Sequence, residues 1–143
     1  MLLDANLLIY AYVQSVPQHE AAQSWLEQHL AQPQPPLGLP WPSLLAFVRI
    51  VTNPRAFARP VPVTRAWQQV EQWLQCACVW IPLPTDRHVT VLGALIQTGT
   101  SEHTKLVSDA HLAALAIEHA LTLYSTDRDF ARFPGLRWEN PLR

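Results

Sequence analysis

Four of the five aspartates stand where a carboxylate could do chemistry. One follows the apolar opening run, one lies at the mouth of an apolar helical segment, and two follow a predicted strand: Asp4, Asp109, Asp127 and Asp129. Acids that gather in one cleft repel each other and need a cation between them. Because oxygen-only ligands suit Mg²⁺ or Mn²⁺, the residue types indicate a site for a divalent cation.

Asp4 is the hardest of these acids to explain as a structural residue. It interrupts the run Met1-Leu2-Leu3-Asp4-Ala5-Asn6-Leu7-Leu8-Ile9-Tyr10. A carboxylate among buried apolar side chains is costly unless it is paired or metal-bound. The other acids have structural alternatives: Asp109 could cap its helix, Asp127 could sit in a turn, and Thr126 with Asp129 fits a capping box.

The elements that must position these acids alternate between strands and helices. Apolar runs predict strands at 1–3, 79–81, 121–124 and 136–138, and helical spacing predicts helices at 7–13, 19–30, 44–51, 64–74, 85–99 and 108–119. Proline-rich connectors fill 33–42 and 52–62, and Ser43 and Thr64 are the predicted N-caps of the helices that follow. The alternation favours an α/β fold, a three-layer α/β/α sandwich with a short, mostly parallel central sheet. Loops that follow parallel strands meet at one sheet edge, which would bring the acids together.

The charge pattern gives a local rather than a global signal for nucleic acid. The net charge is −1, and nine of the ten basic residues are arginine. Four of these, Arg49, Arg55, Arg59 and Arg65, share a span without an acid, which reads equally as a phosphate-contacting strip or as a solvated loop. With 49% hydrophobic and 15% charged residues, we also expect a partner to cover some apolar surface.

Length, cysteines and hydropathy narrow the class of protein further. A chain of 143 residues is expected to form one domain, 1–143. Cys76 and Cys78 lie too close for an easy disulfide, and no second cysteine pair is present for zinc, so reduced structural thiols are expected. No run approaches the roughly 18 apolar residues of a membrane span. We therefore expect a cytoplasmic protein without a membrane partner.

Three motifs in order resemble the PIN-domain ribonucleases, in particular the VapC toxins of bacterial toxin–antitoxin modules. They are Leu3-Asp4-Ala5-Asn6-Leu7-Leu8, then Leu106-Val107-Ser108-Asp109-Ala110-His111-Leu112-Ala113-Ala114, then Tyr124-Ser125-Thr126-Asp127-Arg128-Asp129-Phe130-Ala131-Arg132-Phe133. Two further segments, 41–49 and 133–138, are similar to the mycobacterial-type branch of that family. The resemblance covers nearly the whole chain.

The resemblance implies a Mg²⁺-dependent (or Mn²⁺-dependent) endoribonuclease with RNA as substrate, a VapB-like antitoxin as partner, and a homodimer. It implies that Asp4, Asp109 and Asp127 are metal ligands and that all four aspartates are catalytic, with Asp129 as a ligand through water or a helper. Asn6 and Thr126 would orient these acids. Arg49 and Arg128 would hold the RNA backbone.

One position departs from the family pattern. The family places a glutamate on the second of its helices where this chain has Ala46. The chain could then use one metal ion, could recruit another acid such as Glu20 or Glu102, or could have reduced activity. It could also be a degenerate PIN module that binds RNA or a protein partner without cutting. A flavodoxin-like phospho-acceptor domain is a weaker alternative, since none of the four glycines forms a phosphate-cradling loop. His111, although next to Asp109, is expected to be a packing or surface residue.

Overall fold

Five short strands form one parallel sheet in the computed structural model, which describes residues 1–98 and 104–143. The strands are β1 Leu2–Leu3, β2 Leu37–Gly38, β3 Val79–Trp80, β4 Thr122–Tyr124 and β5 Arg137–Glu139. Their order across the sheet is β3-β2-β1-β4-β5, and every recorded strand pair is parallel. β1 is therefore the central strand, with β4 beside it.

Helices cover both faces of this sheet. They are α1 Ala5–Tyr12, α2 His19–Leu30, α3 Trp41–Val51, α4 Val63–Gln75, α5 His88–Thr98 and α6 Lys105–Glu118, with a 3₁₀ helix at Arg128–Arg132. Because successive strand residues point to opposite faces, Leu3 packs in the apolar cluster with α1 to α4, and Leu2 packs with α5 and α6. The predicted three-layer α/β/α fold is confirmed.

The expectation of an irregular connector at 33–42 is wrong in part, because β2 lies inside it. Gly38 N–H donates to Met1 O at 2.8 Å, and Leu37 N–H donates to Cys78 O at 2.8 Å. A Cβ on Gly38 would lie 2.9 Å from Met1 O, so the close approach of β2 to the start of β1 requires glycine. A two-residue strand carries no periodicity by which the sequence could reveal it.

Several predicted helix starts are also wrong. α3 begins at Trp41 and α4 at Val63, after Pro40 and Pro62, so the predicted N-caps Ser43 and Thr64 lie inside the helices. Pro40 and Pro62 are themselves the N-cap residues, and neither helix has a side-chain cap; Pro42, in the first turn of α3, has no N–H that would need one. α6 begins at Lys105, which places Asp109 in the second helical turn and not at the N-cap. The predicted end of α5 at Gly99 and most of the polar segment 100–104 lie outside the described residues.

Candidate metal centre

The register of the two central strands brings the first two acidic motifs together. β1 and β4 pair Leu3 with Tyr124, and Asp4 N–H donates to Tyr124 O at 3.0 Å. The residues that follow the two strands, Asp4 and Ser125, consequently leave the sheet side by side. This is the carboxyl edge, where parallel sheets place their ligands.

Ser125 joins three site residues through one buried hydroxyl. Its Oγ donates to Asp4 Oδ2 at 2.7 Å, and accepts from Asn6 Nδ2 at 3.0 Å and from the backbone N–H of Asp127 at 3.0 Å. Thr126, to which the family resemblance gave this orienting role, makes no side-chain hydrogen bond among the described residues. Asn6 acts through Ser125 and not on a carboxylate directly. The signal that could have identified Ser125 is its position, directly after the strand, as that of Asp4 is.

Three of the four predicted acids converge on one point. Each of Asp109, Asp127 and Asp129 offers an oxygen, and these oxygens lie within 4.8 Å of one another. Asp4 is not a member of this group; Ser125 Oγ donates to its Oδ2 and Ala5 N–H donates to its Oδ1 at 2.7 Å. The geometry thus groups Asp129 with Asp109 and Asp127.

Two cations that the sequence did not single out contact the acids. The Lys105 ammonium binds the Asp127 carboxylate and lies 3.5 Å from Asp129 Oδ2 and 3.9 Å from Asp109 Oδ2. Arg132 Nη2 lies 3.5 Å from Asp109 Oδ2. Neither contact to Asp109 is a hydrogen bond, and Asp109 Oδ2 is a fully buried oxygen without a partner among the described residues.

Burial raises the pKa of two of the aspartates, Asp109 and Asp4. It raises the pKa of Asp109 to about 6, with Lys105 opposing the shift and Asp127 and Asp4 adding to it. Burial likewise raises the pKa of Asp4, against the hydrogen bonds from Ser125 and Ala5. A cation bound beside either carboxyl would lower its pKa again.

The pKa of Asp127 is shifted in the opposite direction. Burial acts to raise the pKa of Asp127, but the hydrogen bonds from Lys105 and from the Asp129 N–H outweigh it, so the pKa lies below its ordinary value. The same contact with Asp127 raises the pKa of Lys105. The site thus combines Asp127, whose negative charge is stabilised by its hydrogen-bond partners, with Asp109 and Asp4, whose negative charge is disfavoured by burial.

Comparison with known proteins shows the family to which the chain belongs. Residues 1–136 match the family description PIN domain. The chain belongs to the PIN-domain family. It is 40% identical over 140 residues to Ribonuclease VapC37 of Mycobacterium tuberculosis, covering 98% of this chain and 96% of that one. Ribonuclease VapC33 of the same species is also 40% identical, over 141 residues, again with 98% and 96% covered.

Solved structures show the same PIN-domain fold at lower sequence identity. VapBC2 from Rickettsia felis, crystallised with a DNA fragment from its promoter, superposes with a TM-score of 0.70 at 18% identity, covering 97% of this chain and 96% of that one. FitAcB from Neisseria gonorrhoeae gives a TM-score of 0.62 at 18% identity, with 98% and 96% covered. These likenesses establish the architecture.

Ala46, which stands where the family pattern has a glutamate, lies in the middle of α3. Ser43, one helical turn earlier on α3, is buried and donates to Leu3 O at 2.7 Å, which fixes this face of the helix next to Asp4. Ala46 itself is half-buried against the apolar cluster. Of the compensating acids considered, Glu20 is exposed in the first turn of α2, and Glu102 lies outside the described residues. No glutamate joins the acidic group within 1–98 and 104–143.

The remaining arginine candidates form no ion pair with the acids in the described part of the chain. Arg49 is exposed in the last turn of α3, and Arg128 is exposed between the two outer aspartates. Arg59 and Arg65 line a groove of 710 Å³ with Tyr12 and Phe57. Both cysteine thiols are free.

His111 belongs to a separate polar chain. Its Nδ1 lies 3.0 Å from His88 Nε2, and His88 Nδ1 lies 2.5 Å from Glu118 Oε2. Glu118 Oε1 accepts two further hydrogen bonds from Thr85, at 2.9 Å from the backbone N–H and 2.7 Å from Oγ1. These contacts join α5 to α6.

Proposed function

We propose that this PIN-domain chain is a divalent-metal-dependent endoribonuclease, the toxin of a pair whose second member is a VapB-like antitoxin. The observation that carries the proposal is the Asp109 carboxylate, which has a buried oxygen without a hydrogen-bond partner and faces two further carboxylates. A buried carboxylate oxygen that accepts no hydrogen bond is unfavourable, and a metal ion bound directly to it would stabilise it more than the longer contacts with Arg132 and Lys105 do. Identity of 40% to proteins named VapC ribonucleases supports RNA as the substrate.

The donor set favours Mg²⁺, with Mn²⁺ as the alternative. All available donors are carboxylate oxygens, and no histidine or cysteine joins them among the described residues. We assign Asp109 and Asp127 as ligands, with Asp4 as the third by the family pattern and Asp129 as a helper or ligand on the exposed side. A divalent ion held there would activate water and neutralise charge on the phosphate.

The chain's own residues position this centre and the RNA. Ser125 and Asn6 hold Asp4 in one orientation, and the Ser125 hydroxyl also fixes the backbone of Asp127. We propose that Arg128, exposed beside the acids, contacts the scissile strand, and that Arg49 binds the RNA backbone farther along. The groove with Arg59 and Arg65 is a further place for phosphate contacts.

The decisive experiment compares aspartates inside and outside the cluster. Purified wild type should cleave structured RNA with Mg²⁺ and lose that activity in EDTA. Asp4→Asn and Asp109→Asn should lose activity at least a hundredfold, while Asp86→Asn, at the one exposed aspartate outside the cluster, should not. Robust cleavage by Asp4→Asn would overturn the assignment.

A second candidate function rests on Ala46. Without the family glutamate, the chain could bind RNA or a protein partner without cleaving. The substitution Ala46→Glu separates the two functions, because it restores the family residue on a helix that Ser43, three residues earlier, ties to Leu3, the neighbour of Asp4. An inert wild type that gains Mg²⁺-dependent cleavage on this substitution is a degenerate module, and an active wild type is an enzyme.

The antitoxin would cover apolar surface. Large apolar side chains are exposed on α3 and α4, where Trp67 stacks on Trp41 at 6.3 Å between ring centroids, and Leu45 and Val63 are more than half exposed. Co-expression with a small protein encoded upstream should give a soluble complex in which RNA cleavage is suppressed.

Sedimentation of the isolated chain tests the proposed homodimer. No helix within the described part of the chain is long and apolar enough to cross a membrane, and we keep the cytoplasm as its proposed location.

A further inference from the structure

Lys105 is the only lysine of the chain, and it lies against the acidic group. Its ammonium binds Asp127 and lies 3.5 Å from Asp129 Oδ2 and 3.9 Å from Asp109 Oδ2. These are the same three residues whose oxygens lie within 4.8 Å of one another. Arg132, in contrast, pairs with Asp109 alone. Lys105 is therefore the one side-chain cation, within the described ranges, that contacts every member of the group.

A divalent ion and this ammonium cannot both keep these contacts. An ion in the group would compete with Lys105 for Asp127 Oδ2, because Asp127 Oδ1 already accepts a hydrogen bond from the Asp129 N–H. It would also compete for Asp109 Oδ2, which accepts no hydrogen bond among the described residues and lies 3.9 Å from the ammonium. An ion bound there would stand within a few ångströms of the ammonium, where like charges repel strongly. The Lys105 side chain is 56% exposed, and its flexible stem can swing towards solvent.

We propose that Lys105 is a built-in counter-cation of the acidic group, which holds the three aspartates together without metal and leaves them when a divalent ion binds. The proposal rests on the metal-dependent function above and adds a residue that sets its metal affinity. Metal binding then carries the cost of releasing the ammonium. Removal of the ammonium should make the ion bind more tightly.

Calorimetric titration with Mn²⁺ tests the exchange through affinity, without RNA. Lys105→Gln should bind Mn²⁺ about tenfold more tightly than wild type, the size expected from losing several exposed ion pairs. Lys105→Arg, which keeps the charge, should bind no more tightly than wild type. Arg128→Gln is the matched control, because it removes one nearby positive charge that forms no ion pair in the described part of the chain. Equal affinities for Lys105→Gln and wild type, or an equal gain in Arg128→Gln, would overturn the proposal.

A second measurement uses the wild type and needs no variant to fold. Since Lys105 is the only lysine, an amine-selective acylating reagent reports on it directly by peptide mass spectrometry. Saturating Mg²⁺ should increase its acylation several-fold at constant pH and ionic strength, because the released amine is no longer held by carboxylates. Unchanged or slower acylation with bound Mg²⁺ would contradict release. If wild type cleaves RNA but neither the Mn²⁺ affinity of Lys105→Gln nor the acylation of wild type changes as expected, the exchange proposal fails and the enzyme assignment stands. If the Mn²⁺ affinity rises in Lys105→Gln but wild type cleaves no RNA, the exchange stands and the enzyme assignment fails.

Discussion

Ser125 Oγ donates a 2.7 Å hydrogen bond to Asp4 Oδ2, across 121 positions of the sequence. The hydroxyl is fully buried and serves Asn6 and Asp127 as well. One hydroxyl thus sets the relative positions of two acidic motifs that belong to opposite ends of the chain. Removing this hydroxyl tests directly how far RNA cleavage depends on the orientation of Asp4 and Asp127.

Ser125→Ala should lower RNA cleavage by about tenfold to a hundredfold, because Asp4 and the Asp127 backbone lose their common anchor. It should also lower the free energy of unfolding by about 1–3 kcal/mol, the cost of leaving buried polar groups unpaired. Cleavage assays and urea titration measure the two effects. Ser43→Ala is the matched control: it removes another buried hydroxyl bonded to a backbone carbonyl, and should cost stability with little loss of activity. Equal activity loss in both variants would contradict a specific role for Ser125.

Metal affinity should depend on pH through Asp109. Its pKa of about 6 in the metal-free protein means that a proton competes with the ion below that value. The dissociation constant for Mn²⁺ should rise about tenfold per pH unit below 6 and be nearly flat above 7. Titration calorimetry from pH 5 to 8 measures the profile. A constant affinity across this range would show that Asp109 is not a ligand.

Asp109→Asn should stabilise the metal-free protein at neutral pH. A carboxyl whose pKa is raised in the folded state favours folding while protonated, and this contribution is lost as the pH rises from about 4 to above 6. A neutral isostere should therefore raise the free energy of unfolding by about 1 kcal/mol at pH 7.5, discounted for solvent screening, and by nothing below pH 4. Denaturant unfolding in EDTA provides the measurement.

Asp127→Asn should change stability in the opposite direction. Its lowered pKa means that the carboxylate stabilises the fold above its ordinary pKa and loses this effect as the pH falls. At pH 7.5 the substitution should destabilise the metal-free protein. If both variants shifted stability in the same direction, the two acids would not have the different environments described above.

Glu118 should matter for stability and not for catalysis. Its fully buried carboxylate accepts hydrogen bonds from Thr85 and contacts His88. Although burial acts to raise the pKa of Glu118, these partners lower it. Glu118→Ala should cost about 2–4 kcal/mol, because Thr85 and His88 lose their acceptor. Glu20→Ala, at an exposed position, is the control; unfolding curves that coincide for the two variants would disprove the role.

The sequence predicted most of this architecture because apolar runs and helical spacing report burial. These patterns do not reveal an element that depends on tertiary contacts. β2 is such an element, since it has two residues and is defined by backbone hydrogen bonds to Met1 and Cys78. Four acids could be selected because their type and their position after strands are local properties. Lys105 could not, since its contacts depend on where α6 begins. Ser125 shares with Asp4 the position directly after a strand, but only the structure shows that its side chain, and not that of Thr126, binds Asp4.

The order of the strands also has a consequence for the making of the protein. β1 is synthesised early but lies between β2 and β4, so Asp4 leaves the ribosome long before Ser125 and Asp127 exist. A growing chain can therefore carry no assembled cation site until residues beyond 129 have emerged and β4 has paired with β1. Connectivity alone thus delays the assembly of the cation site until β4 and the residues that follow it have been made.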